Sequence, residues 1–273
     1  MGVRAGESPT LGTPATDSDQ ASAVEHQTLD DVFSRAQLSI VLPIFNEEAN
    51  IDRAVRQAIA GASALGLRHE VIAVDDGSLD RTAEILRRLE TELTPTVRVL
   101  RHHVNRGYGA ALRTGFDHAV GDLVFYTDAD NQFDPAELAR IVPLMSESDV
   151  VFGYRQGRKD PFHRRLVSKA YNRLARATLG ISVRDVNCSF KIFRGEVLRG
   201  LHLVSDDFLI DTEIVAQIQR GNWRCAEIGV THFDRAGGES SVRPRHVVET
   251  FASLLRARRT LGSPSRRPPE HGT

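Results

Sequence analysis

Four short apolar runs, separated by helical patterns, constrain this chain more than any other feature. Leu38-Ser39-Ile40-Val41-Leu42-Pro43, Glu70-Val71-Ile72-Ala73-Val74, Val97-Arg98-Val99-Leu100 and Leu123-Val124-Phe125-Tyr126 read as buried strands, the first stopping at its proline. Between them lie a helix carrying Ile51, Val55 and Ile59, a helix from Thr82 to Glu92, and a helix from Ala110 to Ala119. The alternation predicts an α/β fold: a Rossmann-like, mostly parallel central sheet with helices on both faces. Such sheets bind ligands beyond the carboxyl ends of their strands. The polar clusters 46–48, 75–78, 105–109 and 128–132 all fall at those ends or in the loops that follow. Four separate segments are therefore expected to converge on one rim.

Past residue 150 the pattern loosens. Val150-Val151-Phe152 reads as a strand, Arg155 to Arg165 as a basic loop, and Leu166 to Leu179 as a helix. Cys188 to Phe193 reads as a strand with alternating sides, followed by a helix from Asp211 to Arg220 and a strand from Ala226 to Val230. Residues 36–242 are expected to form one domain, flanked by disordered tails at 1–35 and 262–273. Residues 243–261 read as an amphipathic helix with Val247, Val248, Phe251, Leu254 and Leu255 on one side.

Composition removes several function classes. Hydrophobic residues make up 41% of the 273, enough for a sizeable core. The 35 basic and 36 acidic residues nearly cancel, which argues against nucleic acid as a partner. Two cysteines, Cys188 and Cys225, exclude a disulfide scaffold and fit a cytoplasmic protein. No apolar run is long enough to span a bilayer.

Asp128-Ala129-Asp130 places two carboxylates at spacing two just beyond a strand. Such a pair can grip one hard cation, Mg2+ or Mn2+, that keeps substrate phosphates in its shell. Asp75-Asp76 stands at a neighbouring strand end, and four acids in one crevice repel unless a cation or hydrogen-bond donors compensate them. Pro43-Ile44-Phe45-Asn46-Glu47 occupies the place of a glycine-rich phosphate loop, which argues against a dinucleotide dehydrogenase and a P-loop enzyme.

In order along the chain, these motifs resemble the family 2 glycosyltransferases of the GT-A fold, and among them the dolichyl- and polyprenyl-phosphate sugar synthases. The resemblance spans about residues 38–242. It rests on Ile40 to Glu48, Val74 to Thr82, Asn105-Arg106-Gly107-Tyr108-Gly109, Thr127 to Gln132, Gly153-Tyr154-Arg155, Ser189 to Arg194, and Arg235-Ala236-Gly237-Gly238-Glu239-Ser240-Ser241. The resemblance implies a donor site in which Pro43, Phe45, Asn46 and Glu47 line the base pocket and Asp75 contacts base or ribose, with Asp76, Arg106 and Ala129 beside them. Asp128, Asp130 and Gln132 would hold the metal, and Arg155 and Arg235 would face phosphates. Lys191, with Arg164 or Arg165, is a weaker candidate for that work. Ser241 stands where the family usually has lysine, Phe45 where tyrosine is commoner, and Cys188-Ser189 where Ser-Gly is frequent.

The activity so implied is metal-dependent, inverting hexose transfer from a nucleotide sugar to a polyprenyl phosphate, with GDP-mannose the first donor and UDP-glucose the second. A phosphate monoester, with its second pKa near ~6, is already an anionic nucleophile and needs no general base. A hydroxyl acceptor would need one, and Asp211 and Glu213 are the candidates; at a helix start they also suit the dipole. A sugar-nucleotide-binding module without turnover is a third reading, disfavoured by the full Asp-x-Asp-x-Gln set. Seven arginines against Glu249 across residues 242–268 suit either peripheral contact with an anionic membrane face or a core-packing helix with a solvated basic end.

Overall fold

The computed structural model describes residues 37–157, 162–235, 237, 250–251 and 253–254, with side chains at 162–165 left aside. The side chains of Arg164 and Arg165, the block from Gly238 to Ser241, both tails and most of the 243–261 helix therefore lie outside the described residues.

Strand β1 (Leu38–Ile44) is buried at all seven positions. It pairs in parallel with β2 (His69–Asp75) and with β4 (Leu123–Tyr126), while β2 pairs in parallel with β3 (Val97–Arg101). A strand covered on both faces has no polar side, which is why these segments read as continuous apolar runs. The crossovers are α1 (Ile51–Ser63), α2 (Thr82–Glu92) and α3 (Tyr108–His118). Ile51 and Val55 of α1 pack with Leu86 and Leu89 of α2 on one sheet face. Leu112 and Phe116 of α3 pack on the other, with Ile214 and Ile218 from a later helix.

The strand order is β3-β2-β1-β4-β6-β5-β7, with β5 (Val150–Gln156), β6 (Lys191–Arg194) and β7 (Cys225–Thr231). The first three strands add outward in one direction and β4 starts the other. The crevice at that reversal lies beyond the carboxyl ends of β1 and β4. Between β4 and β5 lies the short α4 (Leu138–Ile141), flanked by 3-10 turns. The remaining helices are α5 (Phe162–Leu179), α6 (Gly195–Arg199) and α7 (Ile210–Arg220).

Three local readings change. β1 continues one residue past Pro43. Thr127 N donates to Val41 O, so odd positions face β4, and β4 has already ended where the proline nitrogen points. The loop expected at 155–165 is strand to Gln156, because Arg155 and Gln156 pair with Val230 and Thr231 of β7. The strand expected at Cys188–Phe193 is Lys191–Arg194 and runs antiparallel to both β4 and β5. Its start is delayed because the Cys188 carbonyl accepts from the Lys191 side chain (2.6 Å).

From the C-terminal segment, Thr250, Phe251, Ser253 and Leu254 are helical. Phe251 meets Tyr171 edge-on at 5.3 Å and Leu254 is fully buried. These two of the five apolar stripe residues cover the protein's own core.

Away from the crevice, at the start of β2, Glu70 is fully buried. Its Oε1 accepts from Ser39 Oγ (2.5 Å) and Val120 N (3.2 Å), while Oε2 has no partner among the described residues. Burial pushes this carboxyl above its ordinary value. A raised pKa in the folded state gives stability below the unfolded pKa that is lost as pH rises through the folded one. Glu70→Gln is therefore expected to stabilise the chain by about 1 kcal/mol at pH 8. Thermal unfolding at pH 5 and pH 8 checks it: the gain should shrink or reverse in acid.

Candidate active site

The loops at the carboxyl edge are tied together by side chains reaching into neighbouring backbones. After β1 the chain turns at Asn46, whose φ of 55° lies in the left-handed region that asparagine tolerates. Asn46 N donates to Ser78 Oγ (2.9 Å), Leu79 N donates to Asn46 Oδ1 (2.8 Å), and Glu47 N donates to Thr82 Oγ1 (2.8 Å). Asp75 closes β2, fully buried. Its Oδ1 accepts from Ser78 N (2.9 Å), and its Oδ2 lies 3.1 Å from Arg101 Nε without a hydrogen bond among the described residues. Asp76 accepts from Arg106 N (2.9 Å), Gly107 N (2.8 Å) and His102 Nδ1 (2.6 Å). It organises the loop after β3, and the Arg106 side chain stays exposed.

The paired carboxylates follow β4. Asp128 Oδ1 accepts from Tyr108 Oη (3.0 Å) and Oδ2 from Ser189 Oγ (2.5 Å). Asp130 Oδ1 accepts from Gln132 N (3.1 Å) and Oδ2 from Arg235 Nη1 (3.3 Å). Arg235 Nη2 also meets Glu47 Oε1 at 2.5 Å, so one guanidinium spans the crevice between the β1 and β4 loops. Gln132 gives Nε2 to the Phe233 carbonyl (3.2 Å), and Pro43 and Ala129 are buried in the walls beside half-buried Phe45. Desolvation first, then the neighbouring Asp130 charge, pushes the Asp128 carboxyl up to about 7. Desolvation also raises Asp130 and Glu47.

These residues fit a hard divalent cation. Two carboxylates held close in a desolvated site bind either a proton or a metal, and Thr127 Oγ1 and Asn131 Oδ1 beside them are buried without partners among the described residues. Among the described residues, no group of three or more His, Cys, Asp or Glu could hold a metal alone. A cation on Asp128 and Asp130, with Gln132 Oε1, would complete its shell from substrate oxygens and water.

Protons and metal compete for this pair, which sets a pH dependence. Below about 7 Asp128 is protonated, so Mg2+ affinity should fall up to about tenfold per pH unit there and level off above it. Titration calorimetry from pH 5.5 to 8.5 reads this directly. Without metal, the raised carboxyl favours the fold in acid and costs stability as pH climbs through 7. The rise in Tm on adding Mg2+ or Mn2+ should therefore grow with pH.

Four expected site residues are engaged by partners within the protein. Lys191 does not face phosphate: its side chain is fully buried and donates to Asp211 Oδ1 (2.5 Å), Tyr126 Oη (2.7 Å) and the Cys188 carbonyl. Asp211 is not an open base, being held by that lysine and by the Tyr126 hydroxyl. Glu213, only 1% exposed, accepts from Val204 N (3.1 Å) and Ser205 N (2.9 Å) and so closes a loop. Arg155 is clamped by Asp185 through Nε (2.7 Å) and Nη2 (2.8 Å). Tyr108 and Ser189 both lie within the sequence motifs, but no spacing in the sequence links either to Asp128. A hydroxyl-bearing side chain inside a site motif was the available signal.

A doubly wound sheet with paired carboxylates at its topological switch point and no glycine phosphate loop defines a GT-A type glycosyltransferase. The chain belongs to glycosyl transferase family 2, whose sequence model matches residues 39–201. It is 36% identical over 221 residues to the undecaprenyl-phosphate 4-deoxy-4-formamido-L-arabinose transferase of Edwardsiella ictaluri. That match covers 80% of this chain and spans 66% of the relative's length. Glucosyl-3-phosphoglycerate synthase from Mycobacterium tuberculosis shares the fold. Its complex with Mn2+, UDP-glucose and phosphoglyceric acid matches at TM-score 0.64 and 20% identity, over 87% of this chain and 85% of the other. Its complex with Mg2+ and UDP matches at TM-score 0.63 and 21% identity, over 87% and 85%.

Proposed function

We propose that the chain moves a hexose from a nucleoside diphosphate sugar to a polyprenyl phosphate, inverting the anomeric carbon. The observation that carries this reading is the Asp128–Asp130 pair at the switch point, bridged to Glu47 by Arg235. The Edwardsiella relative, named for an undecaprenyl phosphate acceptor, supports the acceptor class. The synthase complexes, which hold UDP with Mn2+ or Mg2+, support a diphosphate donor and a divalent cation.

In this reading Pro43, Phe45, Asn46 and Glu47 bound the base pocket, with Asp75 toward base and ribose and Asp76 and Arg106 shaping the next loop. Asp128, Asp130 and Gln132 would hold the cation, which when bound would supply positive charge to a diphosphate leaving group. Arg235, held 3.3 Å from Asp130 Oδ2, would supply a second positive group beside that cation. Arg155, aligned by Asp185, is the further phosphate-facing candidate. An acceptor phosphate attacks as an anion, which matches the commitment of Asp211 and Glu213 to internal partners. Among the described residues no helix is long and apolar enough to cross a membrane.

The test offers the full chain labelled UDP-glucose or GDP-mannose, with Mg2+ or Mn2+, and polyprenyl phosphate present or absent. Metal-dependent label in the organic phase supports the reading and selects the donor base. Donor hydrolysis with no lipid-soluble label overturns the acceptor assignment.

A further inference from the structure

Cations are unevenly placed along this nearly neutral chain. Helix α5 carries Arg164, Arg165, Lys169, Arg173 and Arg176 and no acidic residue. Residues 242–268 carry seven arginines against one acid. Together the two segments hold 12 of the chain's 35 basic residues and one of its 36 acidic residues, so the remainder is acidic. The structure brings the two segments into contact. Phe251 stands edge-on to Tyr171 of α5, and Leu254 lies in the same apolar cluster as Tyr171 and Ala175.

One side of α5 is anchored. Tyr171 Oη shares a hydrogen bond with Thr212 Oγ1 of α7 (2.6 Å), and Asn172 Oδ1 accepts from Val186 N (3.1 Å). The other side is open. Leu166, Ala170 and Ala177 are exposed in a row at helical spacing, and Lys169, Arg173 and Arg176 are exposed along it. Leu166 is 57% exposed and its neighbour Val167 40%. Among the described residues neither Lys169 nor Arg173 has an acidic partner, and Arg176 gives Nη2 to the Val183 carbonyl (3.2 Å). The acids nearest the helix are committed to other groups. Asp185 accepts twice from Arg155, and Asp211 is paired with Lys191. Asp207 accepts from Leu209 N (2.8 Å) and Ser253 Oγ (3.5 Å). The position of α5 matters as well. Strand β6 is antiparallel to both β4 and β5, so β5 ends at the crevice edge and α5 sets out from there.

We propose that the open side of α5, extended by the arginines that follow Leu254 in the chain, lies on the surface of an anionic bilayer. Its apolar row suits the headgroup boundary, and long basic side chains beside that row reach lipid phosphates. A nucleic acid would use the cations but give Leu166 and Val167 nothing to bury against. The proposal rests on the lipid-acceptor reading, since a bilayer along a helix that starts at the crevice edge brings an acceptor phosphate toward the crevice between β1 and β4.

The test uses the full chain and two double variants, Lys169→Gln with Arg173→Gln, and Leu166→Ser with Val167→Ser. Circular dichroism confirms that each folds. Co-sedimentation with phosphatidylcholine vesicles, with and without phosphatidylglycerol, reads binding. Turnover is read with vesicle-borne polyprenyl phosphate and with a short, water-soluble prenyl phosphate. Wild-type chain should bind the anionic vesicles and leave the neutral ones. The charge variant should lose about tenfold or more in that affinity, and the apolar variant a similar amount. Vesicle-borne turnover should fall with binding, while turnover of the soluble acceptor stays at the wild-type level. Unchanged affinity of both variants for anionic vesicles overturns the membrane face. So does equal wild-type binding to neutral vesicles, or a loss confined to binding of a labelled RNA oligonucleotide. If wild-type chain transfers sugar to neither acceptor yet binds anionic vesicles through these residues, the acceptor reading fails and the membrane face stands.

Discussion

Asp130→Asn is expected to leave the fold intact and lower sugar transfer by about 10²- to 10³-fold, the scale on which losing one preorganised electrostatic group is felt. The isosteric amide oxygen can still accept from Gln132 N, the second position loses its acceptor for Arg235, and Arg235 keeps its shorter contact with Glu47. Packing is unchanged, so circular dichroism and Tm should match the wild type or exceed it at pH 8, where one of two repelling charges has been removed. The distinguishing readout is the neighbour. Asp130 helps to hold the Asp128 carboxyl near 7, and with that charge gone the Asp128 pKa falls. Mg2+ binding in the variant should therefore be weaker, and its acid limb should move to lower pH. If transfer survives with metal affinity unaltered, the pair does not hold the cation.

Much of this edge was legible because strand ends and loops follow sequence order. The runs that became β1, β2, β3 and β4 were continuous and apolar, so both their existence and the clustering of residues 46–48, 75–78 and 128–132 followed from alternation alone. What stayed hidden depended on contacts far apart in sequence. Lys191 lies 20 residues from Asp211 and 65 from Tyr126, and no period links them. A lysine in an alternating strand reads as outward-facing, and the family's basic block suggested phosphate. The antiparallel direction of β6 was equally silent, since a four-residue strand carries no mark of orientation. Glu213 looked like helix N-terminal charge, yet it spends both oxygens on the backbone at Val204 and Ser205.

Lys191→Met should destabilise the chain by about 3–5 kcal/mol, the cost of leaving one member of a buried ion pair alone. The lysine side chain has no exposed surface, and its ammonium has three oxygen partners, which is why a charge survives there at all. Methionine fills the volume but leaves the Asp211 carboxylate with the Tyr126 hydroxyl and no cation. On the scale of a domain this size, the loss lowers Tm by roughly 10 °C. Adding Asp211→Asn removes the stranded charge, and the double variant should recover more than half of the loss. Denaturant unfolding of the two single variants and the double gives the coupling as a cycle. A phosphate-binding lysine would behave in the opposite way. Its loss would raise KM for donor or acceptor with Tm unmoved, and Asp211→Asn would rescue nothing. The cluster also sits under the site, because Ser189, next to the captured Cys188 carbonyl, is one of the two hydroxyls holding Asp128. The variant that is folded at low temperature should therefore bind Mg2+ less tightly, and the double variant should restore metal affinity together with stability.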